Sequence, residues 1–153
     1  MGGIVVCVHQ RPAEEGAKVL EAGGDAFDAA VTTAFCQMAI LPFSCGVGGG
    51  MTAILYSALN RERVAIDGNM RAGSRVTPVM WAKDYLGESD YIGESLFADY
   101  RSTMGYTSIC TPGSVAALAD MHRRFGTMPW PELLQPAARL ARDGYALTDD
   151  FLR

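Results

Sequence analysis

The sequence predicts a fold of the α/β class, in which helices and strands are combined in one chain. Helical periodicity precedes residue 42 and follows residue 111, and two short strand-like runs, 52–57 and 63–67, lie between these regions. Of the 153 residues, 49% are hydrophobic and 20% are charged, an ordinary globular composition. A chain of this length can bury a sizeable core, so we expect one domain over residues 1–153.

The first predicted elements are a strand and a helix. Ile4–Val8 is a run rich in β-branched residues, which is typical of a strand buried on both faces. Pro12 suits the start of a helix that continues to Ala22, and Gly23 is predicted to end it. The inward face of this helix is predicted to carry small and apolar residues at helical spacing: Ala13, Gly16, Ala17 and Leu20.

The second predicted helix, Ala26–Leu41, has apolar residues on every side. Asp25 can cap its first free backbone N–H groups, and Asp28 adds a carboxylate near the positive helix end. No charged residue occurs between Asp28 and Arg61, so this helix is predicted to be packed all round. Pro42 should end it, and Thr32 and Thr33 are expected to bond back to carbonyls of their own helix.

A glycine-rich run, Gly46–Gly50, follows this helix. Four glycines lower backbone order, so the run predicts either positive φ angles or very close approach of another chain segment. A phosphate-binding loop is the alternative, but the lysine, the following Ser or Thr and the strand-then-helix order are missing.

The predicted strands 52–57 and 63–67 form a hairpin that turns near Asn60. From residue 70 to residue 107 the pattern loosens, and short helices are predicted around 79–86 and 95–104. Thr111 and Pro112 then predict the capped start of a helix that ends at Gly126, with its inward residues at Val115, Leu118, Met121 and Phe125.

A further helix is predicted over Pro131–Asp143 and ends at Gly144. Its inward residues are predicted to be Leu133, Leu134, Ala137 and Ala141. Residues 147–153 resemble a cap and the first turn of another helix. We therefore expect the chain to be the front portion of a longer polypeptide.

Several classes of function are disfavoured by composition and motifs. A net charge of −4 without a basic face argues against nucleic acid, and the uncharged run is too short to cross a membrane. No phosphate-loop, dinucleotide or HExxH motif occurs, so no cofactor or metal is expected. The four cysteines are predicted to be buried free thiols. His9 and His122 are predicted to have structural roles. The unpaired cysteines and the absence of a leader favour the cytoplasm.

The polar stretch Asp67–Arg71 is the best candidate for a site. It leaves the end of a predicted strand, where loops often carry function, and it offers the amide of Asn69 and the guanidinium of Arg71 close together. The alternative is that Arg71 is only a solvated loop charge. No nucleophile with an adjacent base is visible, so no catalytic residue is assigned.

Nearly the whole chain resembles the N-terminal part of the large subunit of the gamma-glutamyltranspeptidase family. Only the segment around 86–105 departs from the family pattern. The resemblance rests on these positions: Glu14, Gly16, the run Gly23–Val31, Pro42, Ser44, the run Gly46–Gly50, Ile66, Asp67, the run Thr111–Gly113, the run Gly126–Trp130, Leu133, Leu134, Pro136, Ala137 and Gly144.

This resemblance implies an N-terminal-nucleophile hydrolase with an αββα sandwich, of which residues 1–153 supply a part. In the family a precursor cuts itself into a large and a small subunit, and the threonine exposed by that cut attacks gamma-glutamyl amides such as glutathione. The catalytic small-subunit region is absent from residues 1–153. The chain alone is therefore expected to be inactive, and its partners are the small subunit and an acyl-amide substrate.

The resemblance also implies one contribution to substrate binding. The family has an arginine two residues after the strand-ending aspartate, which binds the glutamate α-carboxylate, and Asn69 occupies that position here. Arg71 is the nearest guanidinium. Either Arg71 reaches the substrate by another loop path, or the enzyme is an acylase for a different acyl amide. A non-catalytic fragment is the third alternative.

Overall fold

The computed structural model of the protein describes residues 2–91 and 93–147, in which four α-helices and four strands alternate with turns. The α-helices are α1 Gln10–Glu21, α2 Ala26–Ile40, α3 Ser114–Phe125 and α4 Trp130–Asp143. The strands are β1 Met51–Ser57, β2 Glu62–Gly68, β3 Tyr85–Glu88 and β4 Ser95–Phe97. Short 3₁₀ turns cover Ala82–Asp84, Ala98–Tyr100 and Tyr106–Ser108. The helix start predicted at residues 147–153 falls almost entirely outside the described residues.

The N-terminal segment is extended, but it is not the doubly buried strand that the sequence predicts. The side chains of Ile4 and Val6 are 90% and 86% exposed, whereas Val5 packs against the main core. Cys7 donates its thiol proton to the Gln37 side chain of α2 at 2.7 Å. A β-branched run favours extended backbone, but burial on both faces needs neighbouring strands, and within the described residues none pairs with this segment.

Helix α1 begins at Gln10, two residues earlier than predicted. The His9 ring accepts a hydrogen bond from the backbone N–H of Arg11 at 3.2 Å and so caps the helix. The buried residues are Pro12, Glu15, Gly16 and Val19, whereas the predicted inward residues Ala13, Ala17 and Leu20 are only partly buried. The prediction missed Glu15 because charge normally marks an exposed position. Here Lys18, at 2.7 Å, and Arg11, at 3.4 Å, compensate its carboxylate.

Helix α2 is the centre of the structure and packs against α1, α4 and α3. The predicted cap is confirmed: Asp25 accepts hydrogen bonds from the backbone of Phe27 and Asp28, and Asp28 accepts one from the backbone of Asp25. Partial burial raises the pKa of the Asp25 carboxyl above its ordinary value, because it has lost water. The helix ends just before Pro42, as predicted.

The prediction that α2 is packed on every side fails at one stripe. Ala26 and Ala30 are exposed and border a groove between α2 and the N-terminal segment. Thr33 donates to the carbonyl of Ala29 in its own helix at 2.7 Å, as expected. Thr32 instead donates to the carbonyl of Leu133 in α4 at 3.0 Å, so its hydroxyl joins two helices.

The C-terminal helices differ from the prediction in their boundaries and inward faces. Helix α3 begins at Ser114 and has no side-chain cap, so the predicted cap at Thr111 and helical start at Pro112 are wrong. Val115 and Ala141 are exposed, and Ala117 and Leu140 are buried in their place. The predicted helix ends at Gly126 and Gly144 are confirmed, and Gly144 has a φ of 77°.

The core lies between the helices and the β1–β2 hairpin. Strands β1 and β2 are antiparallel, with Thr52 opposite Asp67, and they pack against α3. One buried cluster consists of Val19, Ala29, Val31, Leu118, Met121 and Leu133. The second consists of Cys36, Ile40, Leu41, Ala137 and Leu140.

The region between the hairpin and α3 is not helical as predicted. Around 79–86 and 95–104 it contains 3₁₀ turns and a small antiparallel hairpin of β3 and β4. None of the described residues from 69 to 110 is fully buried. Most of a helix's stability in a protein comes from packing an apolar face against the core. Because this region buries no such face, it forms turns and a short hairpin.

All four cysteines are free thiols, as predicted, but only Cys36 is fully buried and Cys110 is exposed. Burial raises the pKa of the Cys36 thiol to about 12. No α-helix in the described part of the chain is long and apolar enough to cross a membrane.

Candidate functional site

The predicted site residues Asn69 and Arg71 follow directly after β2. Met51 lies opposite Gly68 in the β1–β2 register, so this segment leaves the end of the hairpin that is opposite its tight turn. The carboxylate of Asp67 accepts a hydrogen bond from the backbone N–H of Asn69 at 3.0 Å. This local turn redirects the chain out of the sheet and leaves the Asn69 side chain exposed.

The backbone of Arg71 is fixed by pairing with Thr111. The N–H of Arg71 donates to the carbonyl of Thr111 at 3.1 Å, and the N–H of Thr111 donates back at 2.7 Å. Thr111, which the sequence predicts as a helix cap, therefore holds the backbone of the site. The guanidinium of Arg71 is exposed, and no carboxylate of residues 2–91 or 93–147 forms an ion pair with it.

Asn69 and Arg71 line the same cleft, which has a volume of about 320 Å³. Its polar residues are Asp67, Asn69, Arg71, Thr111 and Asp120. Asp120, on α3, was not predicted, because only the fold brings α3 beside the end of β2. Its carboxylate forms ion pairs with Arg123 and Arg124, so Arg71 remains available for an anion.

The glycine-rich run lies beside this segment through backbone contacts. The carbonyl of Gly49 accepts hydrogen bonds from the backbone N–H groups of Gly113 and Ser114, at 3.0 and 3.1 Å. A Cβ added at Gly50 would lie 2.8 Å from the backbone nitrogen of Met70. Of the two predicted reasons for the run, close approach therefore holds at Gly50, whereas none of its glycines has a positive φ.

A third backbone segment completes the arrangement. A Cβ added at Gly113 would lie 2.1 Å from the carbonyl oxygen of Gly68, so glycine is required where α3 begins against the end of β2. Three segments, 46–50, 67–71 and 111–114, thus meet through glycines and backbone hydrogen bonds. These contacts fix the backbone of the loop that carries Asn69 and Arg71, although both side chains are exposed.

A second cavity, of about 570 Å³, also borders this loop, at Met70. Met70 and Ser114 contribute to its wall together with the glycine-rich run, the C-terminal part of α2 and the turn after Pro42. Within residues 2–91 and 93–147 no charged side chain lines it. The loop 69–71 thus contributes Asn69 and Arg71 to the cleft and Met70 to a mainly apolar cavity.

In the part of the chain that the structure describes, neither cavity is lined by a histidine or by a set of metal ligands. His9 caps α1, and His122 contacts the carbonyl oxygen of Met128 at 2.7 Å, so both have structural contacts as predicted. Among the described residues, no group of three or more His, Cys, Asp or Glu side chains could hold a metal ion.

Comparison with known proteins identifies the family. Residues 12–153 match the family model described as Gamma-glutamyltranspeptidase. Glutathione hydrolase 3 of Arabidopsis thaliana is 36% identical over 145 residues, which are 95% of this chain and 21% of that protein. The Acylase ACY 1 proenzyme of Pseudomonas sp. (strain SE83) is 34% identical over 148 residues, which are 95% of this chain and 25% of that protein.

Solved structures agree with this match. The Helicobacter pylori gamma-glutamyltranspeptidase superposes with a TM-score of 0.82 and 34% sequence identity, over 97% of this chain and 40% of that chain. The chain therefore has part of the mixed helix and strand fold of these N-terminal-nucleophile hydrolases, and it spans 21–25% of the length of the two curated relatives. These findings show that the chain belongs to the gamma-glutamyltranspeptidase family.

Proposed function

We propose that residues 1–153 are the N-terminal portion of the large subunit of an amidohydrolase or acyltransferase that cleaves gamma-glutamyl amides such as glutathione. The observation that carries this proposal is the cleft at the end of β2, where Asn69 and Arg71 lie together and Arg71 has no ion pair in the described chain. The family membership supplies the reaction class.

In this proposal the attacking threonine belongs to a small subunit that residues 1–153 do not include. Its α-amine accepts the hydroxyl proton, the oxygen attacks the amide carbonyl, and the amine product leaves with that proton. Water or a second amine then attacks the acyl-enzyme and releases the acyl group. The present chain supplies the supporting scaffold and one side of the substrate site, and by itself it releases no product.

The role proposed for Arg71 is to bind the α-carboxylate of the gamma-glutamyl group. A guanidinium can donate two parallel hydrogen bonds to a carboxylate, and such charge-assisted bonds are about twice as strong as neutral ones. Asn69, which replaces the family arginine, can offer only neutral amide hydrogen bonds. Its proposed role is to bind the same substrate group within the cleft that it shares with Arg71.

The test measures steady-state kinetics of the complete enzyme, which comprises this chain, the rest of the large subunit and the small subunit. Arg71→Ala should raise KM for a gamma-glutamyl anilide by about 10- to 100-fold and leave turnover of the glutaryl anilide nearly unchanged. Arg71→Lys should recover only part of the loss, because it keeps the charge and loses the planar fork. Arg75→Ala, at a neighbouring exposed arginine, is the matched control. An unchanged KM in Arg71→Ala would show that Arg71 is only a solvated loop charge.

A second candidate is an acylase of the same fold that acts on a different acyl amide. Asn69 in place of the family arginine favours it, and one relative bears the name Acylase ACY 1 proenzyme. Faster turnover of the glutaryl anilide, which lacks the α-amino and α-carboxylate groups, would support this acylase and count against the gamma-glutamyl proposal.

The non-catalytic fragment remains the third candidate. A stop codon directly after Arg153, with no gene for a separate partner subunit, would favour it. A reading frame that continues into a threonine-led segment would exclude it. Amide cleavage by purified residues 1–153 alone would contradict all three assignments.

A further inference from the structure

A third, smaller cavity lies in the β3–β4 region and shares no lining residue with the cleft of Asn69 and Arg71. It has a volume of about 280 Å³ and is lined by Pro78, Trp81, Ala82, Tyr85 and Phe97. Tyr85 is the first residue of β3 and lies opposite Phe97, the last residue of β4. Three aromatic side chains therefore line the cavity, and the small hairpin places two of them, Tyr85 and Phe97, opposite each other.

The three rings form an aromatic cluster whose members are tilted relative to one another. The ring centroids of Trp81 and Phe97 are 5.5 Å apart at an interplanar angle of 54°. Those of Tyr85 and Phe97 are 5.8 Å apart at 63°. Such clusters usually pack into a core, but Tyr85 is 49% exposed and the described residues around it include no fully buried one. The rings therefore border solvent.

Among the described residues no charged side chain lines this cavity, whereas the neighbouring sequence is strongly acidic. Residues 82–101 contain five carboxylates, at 84, 88, 90, 94 and 99, and only two cations, Lys83 and Arg101. Arg101 pairs with both Asp84, at 3.2 Å, and Asp99, at 3.5 Å. In the described part of the chain Glu88, Asp90 and Glu94 make no salt bridge, and neither does Lys83, so the segment 82–101 keeps an excess of negative charge.

An aromatic cavity within an acidic segment of the chain favours a cationic ligand. The face of an aromatic ring carries negative charge density and attracts a cation, most strongly at Trp. A quaternary ammonium or methylated amine adds an apolar surface that can enter an uncharged cavity. A carboxylate or phosphate ligand would be repelled by the surrounding carboxylates.

We propose that the cavity of Trp81, Tyr85 and Phe97 binds an organic cation of the quaternary ammonium or methylated amine class. This site is independent of the amide cleavage proposed above, because it uses other residues and its test measures binding. The competing occupant is a neutral apolar group, which the experiment distinguishes.

Choline is titrated into the complete enzyme while tryptophan fluorescence is recorded, and the Trp81→Leu enzyme is titrated in parallel so that the signal of Trp81 is obtained as a difference. The chain has two tryptophans, and Trp130 packs against Phe35 and His122 in the helical body. We therefore expect a saturable change from Trp81 that Trp130→Phe preserves and Trp81→Leu abolishes. The neutral tert-butyl analogue of choline has the same shape without the charge and should bind at least about fivefold more weakly.

Two further variants separate structure from charge. If Trp81→Leu does not fold, as judged by Trp130 emission, Tyr85→Leu provides the same test at a half-exposed wall, with an expected loss of about fivefold or more. Glu88→Gln with Glu94→Gln should weaken choline binding about two- to threefold and leave the neutral analogue unchanged. Equal binding of the two compounds, the absence of a saturable change, or full binding by Trp81→Leu and Tyr85→Leu would overturn the proposal.

Discussion

Asp28 accepts hydrogen bonds from both the backbone N–H and the hydroxyl of Thr127, at 3.0 and 2.6 Å, although 99 positions separate them in the chain. The same carboxylate also accepts hydrogen bonds from the backbone of Asp25 and Met128. Asp28 is 0% exposed, so this single side chain joins the start of α2 to the loop between α3 and α4. Buried carboxylates are stable only when their oxygens are satisfied in this way.

Removal of this carboxylate should therefore be costly. Asp28→Ala leaves several part-buried N–H groups without this partner and should lower the free energy of unfolding by ~2 kcal/mol or more. Thr127→Val removes one hydroxyl and keeps the shape, so a smaller loss of ~1–2 kcal/mol is expected. Thr127→Ser, which keeps the hydroxyl, is the control. Urea unfolding monitored by circular dichroism measures all three, and equal stability of Asp28→Ala and the parent chain would contradict the assignment.

The glycine-rich run offers a matched pair of substitutions. A Cβ at Gly50 would lie 2.8 Å from the backbone nitrogen of Met70, whereas a Cβ at Gly48 would have nothing within 4 Å. Because backbone cannot move as easily as a side chain, Gly50→Ala should cost ~1–3 kcal/mol. Gly48→Ala should change stability by less than ~0.5 kcal/mol. Thermal unfolding of both variants gives the comparison, and similar melting temperatures would refute the role of close approach at Gly50.

The Cys36 thiol should contribute to a loss of folded stability at alkaline pH. Its pKa is raised to about 12 from an ordinary value of 9.0, because it is buried. The unfolded thiol therefore ionises first, and folded stability should fall as pH rises from 9 towards 12, by at most ~1.4 kcal/mol per pH unit for one group. Below pH 9 this group should cause no change.

Chemical labelling provides the second readout for the same thiol. At pH 8, iodoacetamide should modify the exposed Cys110 and leave Cys36 intact, and unfolding in urea should make all four cysteines reactive. A Cys36→Ala variant should show a shallower loss of stability above pH 9. Labelling of Cys36 in the folded chain at pH 8, detected by peptide mass spectrometry, would disprove its burial.

Local chemistry made several elements predictable from the sequence. The cap at Asp25, the end of α2 before Pro42, the β1–β2 hairpin and the helix ends at Gly126 and Gly144 all follow from residues within a few positions of the feature. The placement of Asn69 and Arg71 after a strand was predictable for the same reason.

The remaining features depend on contacts that are distant in sequence. Glu15 is buried because basic side chains compensate it, and Thr32 bonds to α4 and not to its own helix. Thr111 lacks a helix to cap because its backbone pairs with Arg71. Asp120 enters the cleft only when α3 lies beside β2. Periodicity cannot show these relationships, because each is set by the packing of separate elements.

The alternating exposure of the N-terminal segment allows a last test. Val5 contacts the main core, whereas Val6, the next residue, is 86% exposed. In the purified chain, Val5→Ala should lower the free energy of unfolding by ~1 kcal/mol or more, because the variant loses buried apolar area. Val6→Ala should change it by less than ~0.5 kcal/mol. Equal losses in urea unfolding would show that the segment is buried on both faces after all, as its β-branched composition predicts. A larger loss at Val6 in the complete enzyme than in the chain would instead indicate that another part of the enzyme covers this face.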